Sequence, residues 1–228
     1  MSTGVVIVAA GSGKRMGGQR NKLWLPLAGE PILAHTVRLF ATHRDVDHIV
    51  LVVSEQDHAD VRKWLQKEAI QLTVVLGGAE RQDSVRNGLG ALSENCTYVL
   101  VHDAARPFVT REQISEMIKQ VEHDQATIMA VPVKDTIKVV GATGIVEATP
   151  ARESLWAVQT PQAFRMSLLR EAHEAAQRAG KVGTDDAMLV EWLGHSVTVV
   201  QGSYENIKIT TPDDLWFGEE ILRKRKGE

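Results

Sequence analysis

Short runs of β-branched and other apolar residues alternate with amphipathic stretches along most of this 228-residue chain. This alternation predicts an α/β fold, in which helices flank a mostly parallel sheet. The predicted strands cover residues 4–10, 48–53, 72–76, 98–101, 128–133 and 197–200. The predicted helices cover residues 31–42, 57–67, 81–92, 111–122 and 166–178. A last helix is expected to begin near Pro212, because proline suits the first helical position.

The alternation breaks after the fifth predicted strand. Residues 136–140 and 145–149 form two short apolar runs around Gly141-Ala142-Thr143-Gly144, and the length and glycine content of that loop favour a β-hairpin. No repeat or low-complexity linker divides the chain, and its length suits one hydrophobic core. We therefore expect a single domain over residues 1–228, from which an inserted β-hairpin arm at about 135–157 protrudes.

Composition and charge exclude several classes of protein. The formal net charge is −3, so the basic excess of a nucleic-acid-binding protein is missing and we expect no nucleic-acid partner. The single cysteine, Cys96, has no partner for an intramolecular disulfide. No apolar run reaches the ~18 residues of a membrane helix, and no charged leader precedes the first strand. We expect a cytoplasmic protein without a membrane partner.

A glycine-rich loop, Ala9-Ala10-Gly11-Ser12-Gly13-Lys14-Arg15-Met16, follows the first strand. Small residues let backbone N–H groups approach phosphate oxygens, and Lys14, Arg15 and Lys22 add positive charge. A Walker loop requires Ser or Thr where Arg15 stands, and a dinucleotide fingerprint requires glycine where Met16 stands. The loop predicts a site for a triphosphate, and the alternative is a tight turn with solvated basic residues.

Polar residues also concentrate in residues 77–84, 102–107 and 206–212, where later strands end. Ligands of open α/β sheets bind beyond the carboxyl ends of the strands, so Ser84, Asp103 and Arg106 are expected to line one crevice with the first loop. A plainer interpretation is that Asp103 and Arg106 simply pair with each other. His102 precedes Asp103 on the opposite face of its strand and is interpreted as structural.

Several segments carry a more specific signal through their order and spacing. Besides residues 9–16, they are Asn21-Lys22, His102-Asp103-Ala104-Ala105-Arg106-Pro107, Pro132-Val133-Lys134-Asp135-Thr136, Gln159-Thr160-Pro161-Gln162, Thr184-Asp185-Asp186-Ala187 and Asn206-Ile207-Lys208. From Val5 to about Leu222, the chain resembles the 2-C-methyl-D-erythritol 4-phosphate cytidylyltransferase family of the non-mevalonate isoprenoid pathway. It departs from the family at Val8, where proline is frequent, and at Ala79, where aspartate is frequent.

The resemblance implies a Rossmann-like nucleotidyltransferase fold with a twisted, mostly parallel sheet, and transfer of CMP from CTP to a polyol phosphate. Arg15 and Lys22 would be the catalytic residues, stabilising charge on the α-phosphate. The residues expected to hold the nucleotide are Ala9, Ala10, Gly11, Gly13, Lys14, Gly78, Ser84 and Ala104. Within that set, Gly78 and Ser84 would read the cytosine.

The resemblance also implies how the acceptor and other partners bind. The residues expected to position the acceptor are Thr136, Arg152, Lys208, Asp103 and Arg106. Mg²⁺ would be held mainly by the CTP phosphates and water, with no dedicated protein ligand set. The protein would be a homodimer with interlocked arms, in which Arg152 serves the neighbouring site.

Three other functions remain as alternatives. A ribitol 5-phosphate cytidylyltransferase would share the CTP chemistry, but residues 152–156 and 184–187 favour methylerythritol phosphate as the acceptor. A sugar-1-phosphate nucleotidyltransferase matches the cytidine-side segments less well. A non-catalytic nucleotide-binding regulator has no need to keep both Arg15 and Lys22.

Overall fold

The computed structural model describes residues 1–11 and 21–227, and within them lie eleven strands and seven α-helices. The strands are β1 (Ser2–Ala9), β2 (Pro26–Leu27), β3 (Glu30–Pro31), β4 (His48–Val53), β5 (Thr73–Leu76), β6 (Cys96–Asp103), β7 (Ala126–Pro132), β8 (Val139–Val140), β9 (Val146–Ala148), β10 (Trp156–Arg165) and β11 (Thr198–Gln201). The helices are α1 (Ile32–Ala41), α2 (Glu55–Lys67), α3 (Arg81–Ala91), α4 (Arg111–Asp124), α5 (Met166–Arg178), α6 (Asp186–Trp192) and α7 (Pro212–Lys226).

Seven strands form one central sheet in the order β11-β7-β10-β6-β1-β4-β5. Strand β10 runs antiparallel to both β6 and β7, whereas the other neighbouring pairs are parallel. The expected α/β class, a mostly parallel sheet flanked by helices, is confirmed. Because β1, β4, β5 and β6 are mutually parallel, their carboxyl ends meet at one edge of the sheet.

The central strand β1 explains why the core has two halves. Val5, Val6 and Ile7 are each fully buried. Val5 and Ile7 pack in one apolar cluster with α1 and α4, and Val6 packs in the other with α3 and α5. Successive side chains of a strand point to opposite faces, so a continuous apolar run fits a strand covered on both sides.

The final helix confirms the interpretation of its starting signal. Thr211 and Asp214 form a capping box at the start of α7, and Pro212 occupies the first turn. Each partner satisfies a backbone N–H that the helix itself leaves unbonded. None of the helices in residues 1–11 and 21–227 is both long and apolar enough to cross a bilayer.

Four of the described elements were absent from the sequence prediction: the two-residue strands β2 and β3, strand β10 and helix α6. Strand β10 contains Pro161 among polar residues, and proline inside a run argues against a strand. The sheet accommodates it through a register shift between Val158 and Gln162. Helix α6 has only seven residues, too few to show a helical period.

The structure contains the predicted β-hairpin, but its strands β8 and β9 are shorter than predicted. Pairing covers residues 139–140 and 146–148 rather than 136–140 and 145–149, with a register irregularity after Val139. The arm's side chains from 142 to 149 are exposed. A two-stranded hairpin gains little stability from its own pairing, which accounts for its short ladder.

Candidate active site

A cavity of about 490 Å³ opens at the edge where β1, β5 and β6 end. The predicted site residues in its wall are Ala9, Ala10, Gly11, Lys22, Gly78, Ser84, Asp103 and Lys208. Both departures from the family pattern, Val8 and Ala79, also line it. Gly13, Lys14 and Arg15 lie outside the described residues, so their assignments stay predictions.

The remaining predicted residues lie elsewhere. Ala104 is fully buried behind the wall, where its N–H donates to Val8 O at 3.0 Å, and the next residue, Ala105, lines the cavity. Thr136 and Arg152 are exposed on the arm, and Arg152 donates to Lys134 O at 3.1 Å. The structure therefore brings the arm residues to no part of this cavity wall within one chain.

Asp103, the last residue of β6, is the centre of the cavity's charge pattern. Its Oδ1 lies 3.2 Å from Arg81 Nε, and its Oδ2 lies 2.6 Å from Lys208 Nζ. Burial alone would raise the pKa of Asp103, but the cations of Arg81 and Lys208 outweigh it and hold that pKa well below its usual range. Asp103 is thus a fixed anion that orients two cations at the cavity.

The alternative that Asp103 pairs with Arg106 is wrong, and Arg106 also lies outside the crevice wall predicted for it. Arg106 donates instead to two backbone carbonyl groups, Asn206 O at 2.8 Å and Val158 O at 3.4 Å. The Asn206 side chain in turn donates to Thr160 O at 2.9 Å. These contacts fasten the segment before Lys208 to β10, so Arg106 shapes the wall from behind.

Arg81 continues the charge pattern into the interior. Its Nη1 lies 2.7 Å from Asp186 Oδ2, and Asp186 Oδ1 lies 3.1 Å from His173 Nε2. Burial would raise the pKa of Asp186, but Arg81 and His173 together lower it. Arg81 lies in the polar segment 77–84 and Asp186 in the segment 184–187, but neither residue was assigned a role from the sequence. They are 105 positions apart, and no local sequence pattern indicates a pairing over that distance.

Lys22 enters the cavity from a short 3₁₀ helix, Lys22–Trp24, capped by Asn21. Lys22 Nζ donates to Ile209 O at 2.6 Å. The Asn21 amide donates to Gly11 O at 3.2 Å and to Asp57 Oδ2 at 2.7 Å. Gly11 and Asn21, the described residues on either side of residues 12–20, are therefore linked by a hydrogen bond, and Asn21 is also anchored to helix α2.

The segment after β5 packs closely on the end of β1. A Cβ atom added to Gly77 would lie 2.4 Å from Ala10 Cβ, so only glycine permits this approach. Gly78 N–H donates to Ser84 Oγ at 3.1 Å, and the Ser84 hydroxyl donates to Glu80 O at 3.2 Å. Ser84 thereby holds the segment that forms one side of the cavity.

Comparison with known proteins decides the family. The family model described as 2-C-methyl-D-erythritol 4-phosphate cytidylyltransferase matches residues 3–224. The chain belongs to this family. A relative of that name from Bacillus velezensis is 50% identical over 226 residues, covering 98% of this chain and 97% of the relative. Another of that name, from Alkaliphilus metalliredigens, is 49% identical over 97% of this chain and 93% of its own.

Solved structures of the cytidylyltransferase family share the fold. The 4-diphosphocytidyl-2C-methyl-D-erythritol synthase of Anaerococcus prevotii has a TM-score of 0.88 at 32% identity, over 97% of this chain and 96% of that one. The 2-C-methyl-D-erythritol 4-phosphate cytidylyltransferase of Thermus thermophilus has a TM-score of 0.82 at 34% identity, over 98% and 100%. The predicted nucleotidyltransferase fold is confirmed.

His102 has a structural role in this member of the cytidylyltransferase family. Asp103 N–H donates to Thr160 Oγ1, the Thr160 hydroxyl lies 3.1 Å from His102 Nδ1, and His102 Nε2 lies 3.0 Å from Arg106 O. Since a carbonyl only accepts, the network assigns the proton to Nε2 and leaves Nδ1 to accept from Thr160. Burial lowers the pKa of His102 to about 4, so the ring is neutral.

The donor set of the cavity fits a divalent ion that arrives with the nucleotide. Two acidic residues, Asp103 and Glu80, line the cavity, and both oxygens of Asp103 already accept from Arg81 and Lys208. Among the described residues, no cluster of three or more His, Cys, Asp or Glu side chains could hold a metal. One or two carboxylates beside substrate phosphates are an environment that Mg²⁺ commonly uses.

Proposed function

We propose that this chain transfers the CMP unit of CTP to 2-C-methyl-D-erythritol 4-phosphate. The products are 4-diphosphocytidyl-2-C-methyl-D-erythritol and pyrophosphate, in isoprenoid precursor synthesis. The observation that carries the proposal is the cavity at the sheet edge, where Lys22 and Lys208 line a wall otherwise rich in small residues such as Ala9, Ala10 and Gly78. Family membership supports the identity of both substrates.

The chemistry asks for fixed positive charge rather than for a base. An oxygen of the acceptor phosphate bonds to the α-phosphorus of CTP while the bond to the departing pyrophosphate breaks. That oxygen is already ionised near neutral pH, so the neutral, fully bonded His102 is not needed as a base. Two anions must meet, and preorganised cations lower the cost of the charge that develops.

Lys22 and Arg15 supply that charge at the α-phosphate, and Lys208 binds the acceptor phosphate. Lys22 is anchored to Ile209 O and Lys208 to Asp103, so both ammonium groups are in place before substrate binds. Gly78 and Ser84 read the cytosine edge. Mg²⁺, held mainly by the CTP phosphates and water, neutralises part of the triphosphate charge when it is bound.

The arm completes the site across a homodimer. Ile145 is 67% exposed and Val140 and Val146 are each 53% exposed, so the arm presents an apolar surface that another surface must cover. Interlocked arms cover it, and Arg152 with Thr136 then reach the acceptor in the neighbouring site.

The single buried cysteine, Cys96, fits a reducing cytoplasm.

Pyrophosphate release, measured with several acceptors and nucleotides, tests this function. We expect turnover with CTP and 2-C-methyl-D-erythritol 4-phosphate, and much less with ribitol 5-phosphate or glycerol 3-phosphate. Faster turnover of ribitol 5-phosphate would replace the proposed acceptor. Equal turnover of ATP would overturn cytosine reading by Gly78 and Ser84. If the protein bound CTP but released no pyrophosphate with any of the acceptors, the result would support a non-catalytic nucleotide-binding regulator.

A further inference from the structure

A row of alternating basic and acidic side chains runs from the cavity into the interior behind it. It begins at Lys208, whose side chain is 40% exposed, and continues through Asp103 and Arg81 to Asp186 and His173, each only 1% exposed. The successive contacts measure 2.6, 3.2, 2.7 and 3.1 Å. The reaction as proposed uses the first two residues, and the buried end has no part in it.

Four separate elements carry this row. Asp103 ends β6, Arg81 begins α3, Asp186 begins α6 and His173 lies in α5. The guanidinium of Arg81 divides its donors between two carboxylates, Nε toward Asp103 and Nη1 toward Asp186. A planar fork held at two points has one orientation, which a flexible ammonium could not reproduce.

A contribution to folding stability does not account well for the presence of Asp186 and His173 in the interior. A buried carboxylate such as Asp186, even when paired with Arg81, stabilises a fold no better than a well-packed apolar side chain of similar size. His173 also keeps its Nδ1 buried without a hydrogen-bond partner in the described part of the chain, which is unfavourable. Its polar contact there is the one from Nε2 to Asp186. The imidazole thus serves to hold Asp186.

We propose that Asp186 and His173 are positioning residues for the transfer reaction. His173 fixes Asp186, and Asp186 binds the Nη1 group of the Arg81 guanidinium. Arg81 can then bind only one oxygen of Asp103. The other oxygen stays on Lys208 and fixes the ammonium that meets the acceptor phosphate. Without Asp186, Arg81 turns both nitrogens onto Asp103 and draws it away from Lys208. The proposal rests on the proposed function for the role of Lys208.

The first test compares Asp186→Asn with Asp185→Asn as a matched control. Asp185 is adjacent and caps α6 through Met188 N at 3.0 Å, but it pairs with Gln162 rather than with Arg81. We expect Asp186→Asn to raise the KM for the acceptor and to lower kcat, together about tenfold in kcat/KM, with CTP affinity unchanged. Asp185→Asn should stay within about twofold per folded molecule.

A double substitution separates positioning from general damage. Asp186 and Lys208 make no direct contact, so independent effects on kcat/KM would multiply. If Asp186 acts through Lys208, adding Asp186→Asn to Lys208→Met should cost less than about twofold. A full tenfold further loss would overturn the proposal. Should Asp186→Asn fold poorly, His173→Gln gives the same comparison with a smaller expected effect.

A readout without catalysis keeps this inference apart from the proposed function. Reductive ¹³C-methylation of the lysines gives an NMR signal for Lys208, assigned by its loss in Lys208→Arg. The signal should move in Asp186→Asn and His173→Gln but stay in Asp185→Asn. An unmoved signal overturns the proposed positioning. A moved signal in a protein that turns over no acceptor would refute the proposed function alone.

Discussion

The cavity floor, defined as Asp103 and the residues linked behind it (Arg81, Asp186 and His173), differs from the β-hairpin arm in how its side chains are held. On the floor, Asp103 and Asp186 are buried, and each carboxylate is bonded on both oxygens within this chain. On the arm, pairing extends over two or three residues per strand, and Ile145 and Val146 face outward. The two carboxylates are thus held by partners within this chain, whereas the apolar side chains of Ile145 and Val146 stay exposed within it and would gain a covering surface only in the proposed dimer.

The largest expected effect comes from breaking the floor at its centre. Asp103→Asn leaves Arg81 and Lys208 without their shared anion, and removing one partner of a buried pair typically costs about 3–5 kcal/mol of unfolding free energy. The matched arm variant, Asp135→Asn, is exposed and should change stability by less than about 0.5 kcal/mol. Urea unfolding measures both, and equal losses would contradict the contrast between the two regions.

A mixed dimer tests whether the arm serves the neighbouring site. Lys22→Ala and Arg152→Ala should each lower activity by about 10²–10³-fold, since each removes one contact to developing or bound charge. With the arm acting across the dimer, a mixed dimer has one doubly defective site and one intact site. Its activity should return toward half of normal.

The mixed dimer must be isolated by two different affinity tags and checked by sedimentation, so that failed exchange is not mistaken for a result. No recovery in the purified mixed dimer would show that Arg152 acts within its own chain.

Lowering the pH should reduce the free energy of unfolding, because His102 is buried as a neutral ring. Burial lowers its pKa to about 4 from an ordinary 6.5, so the unfolded chain binds the proton first as pH falls. The stabilising contribution is therefore present above pH 6.5 and is lost progressively down to about pH 4. Its size is about 3 kcal/mol. The unfolding free energy, measured with urea between pH 4 and 7, should fall with decreasing pH in the wild type and fall less steeply in His102→Gln.

The smallest effect on stability is expected on the arm itself. Ile145→Thr removes exposed apolar surface and should change the unfolding free energy of the subunit by less than about 0.5 kcal/mol. In the proposed dimer, dissociation followed by sedimentation at decreasing concentration should nevertheless shift to higher protein concentration. An unaltered dissociation constant would mean that this face of the arm is not covered in the dimer.

The fold was predictable where one local rule decided the structure. The apolar runs of β1 and β4 and the capping signals of α7 lie within a few residues of each other in sequence. Strand β10 was missed because its pairing with β6 and β7 overrides the local discouragement of Pro161.

The site was predictable to the level of segments but not of partners. Polar residues at strand ends indicated the crevice, and Lys22, Ser84, Asp103 and Lys208 do line it. The alternative interpretation paired Asp103 with Arg106, three positions away, yet the partners of Asp103 are Arg81 and Lys208. Such pairings depend on how separate elements pack, and sequence distance carries no information about that.

The contact from Lys22 Nζ to Ile209 O has a consequence for biosynthesis. Its two partners are 187 positions apart in the sequence, so Lys22 is synthesised long before Ile209. A nascent chain that ends before residue 208 already contains every strand of the central sheet, but it lacks Lys208 and the anchor of Lys22. If Lys22 and Lys208 act as proposed, catalytic competence is acquired only after residues 208 and 209 are synthesised, later than every strand of the central sheet.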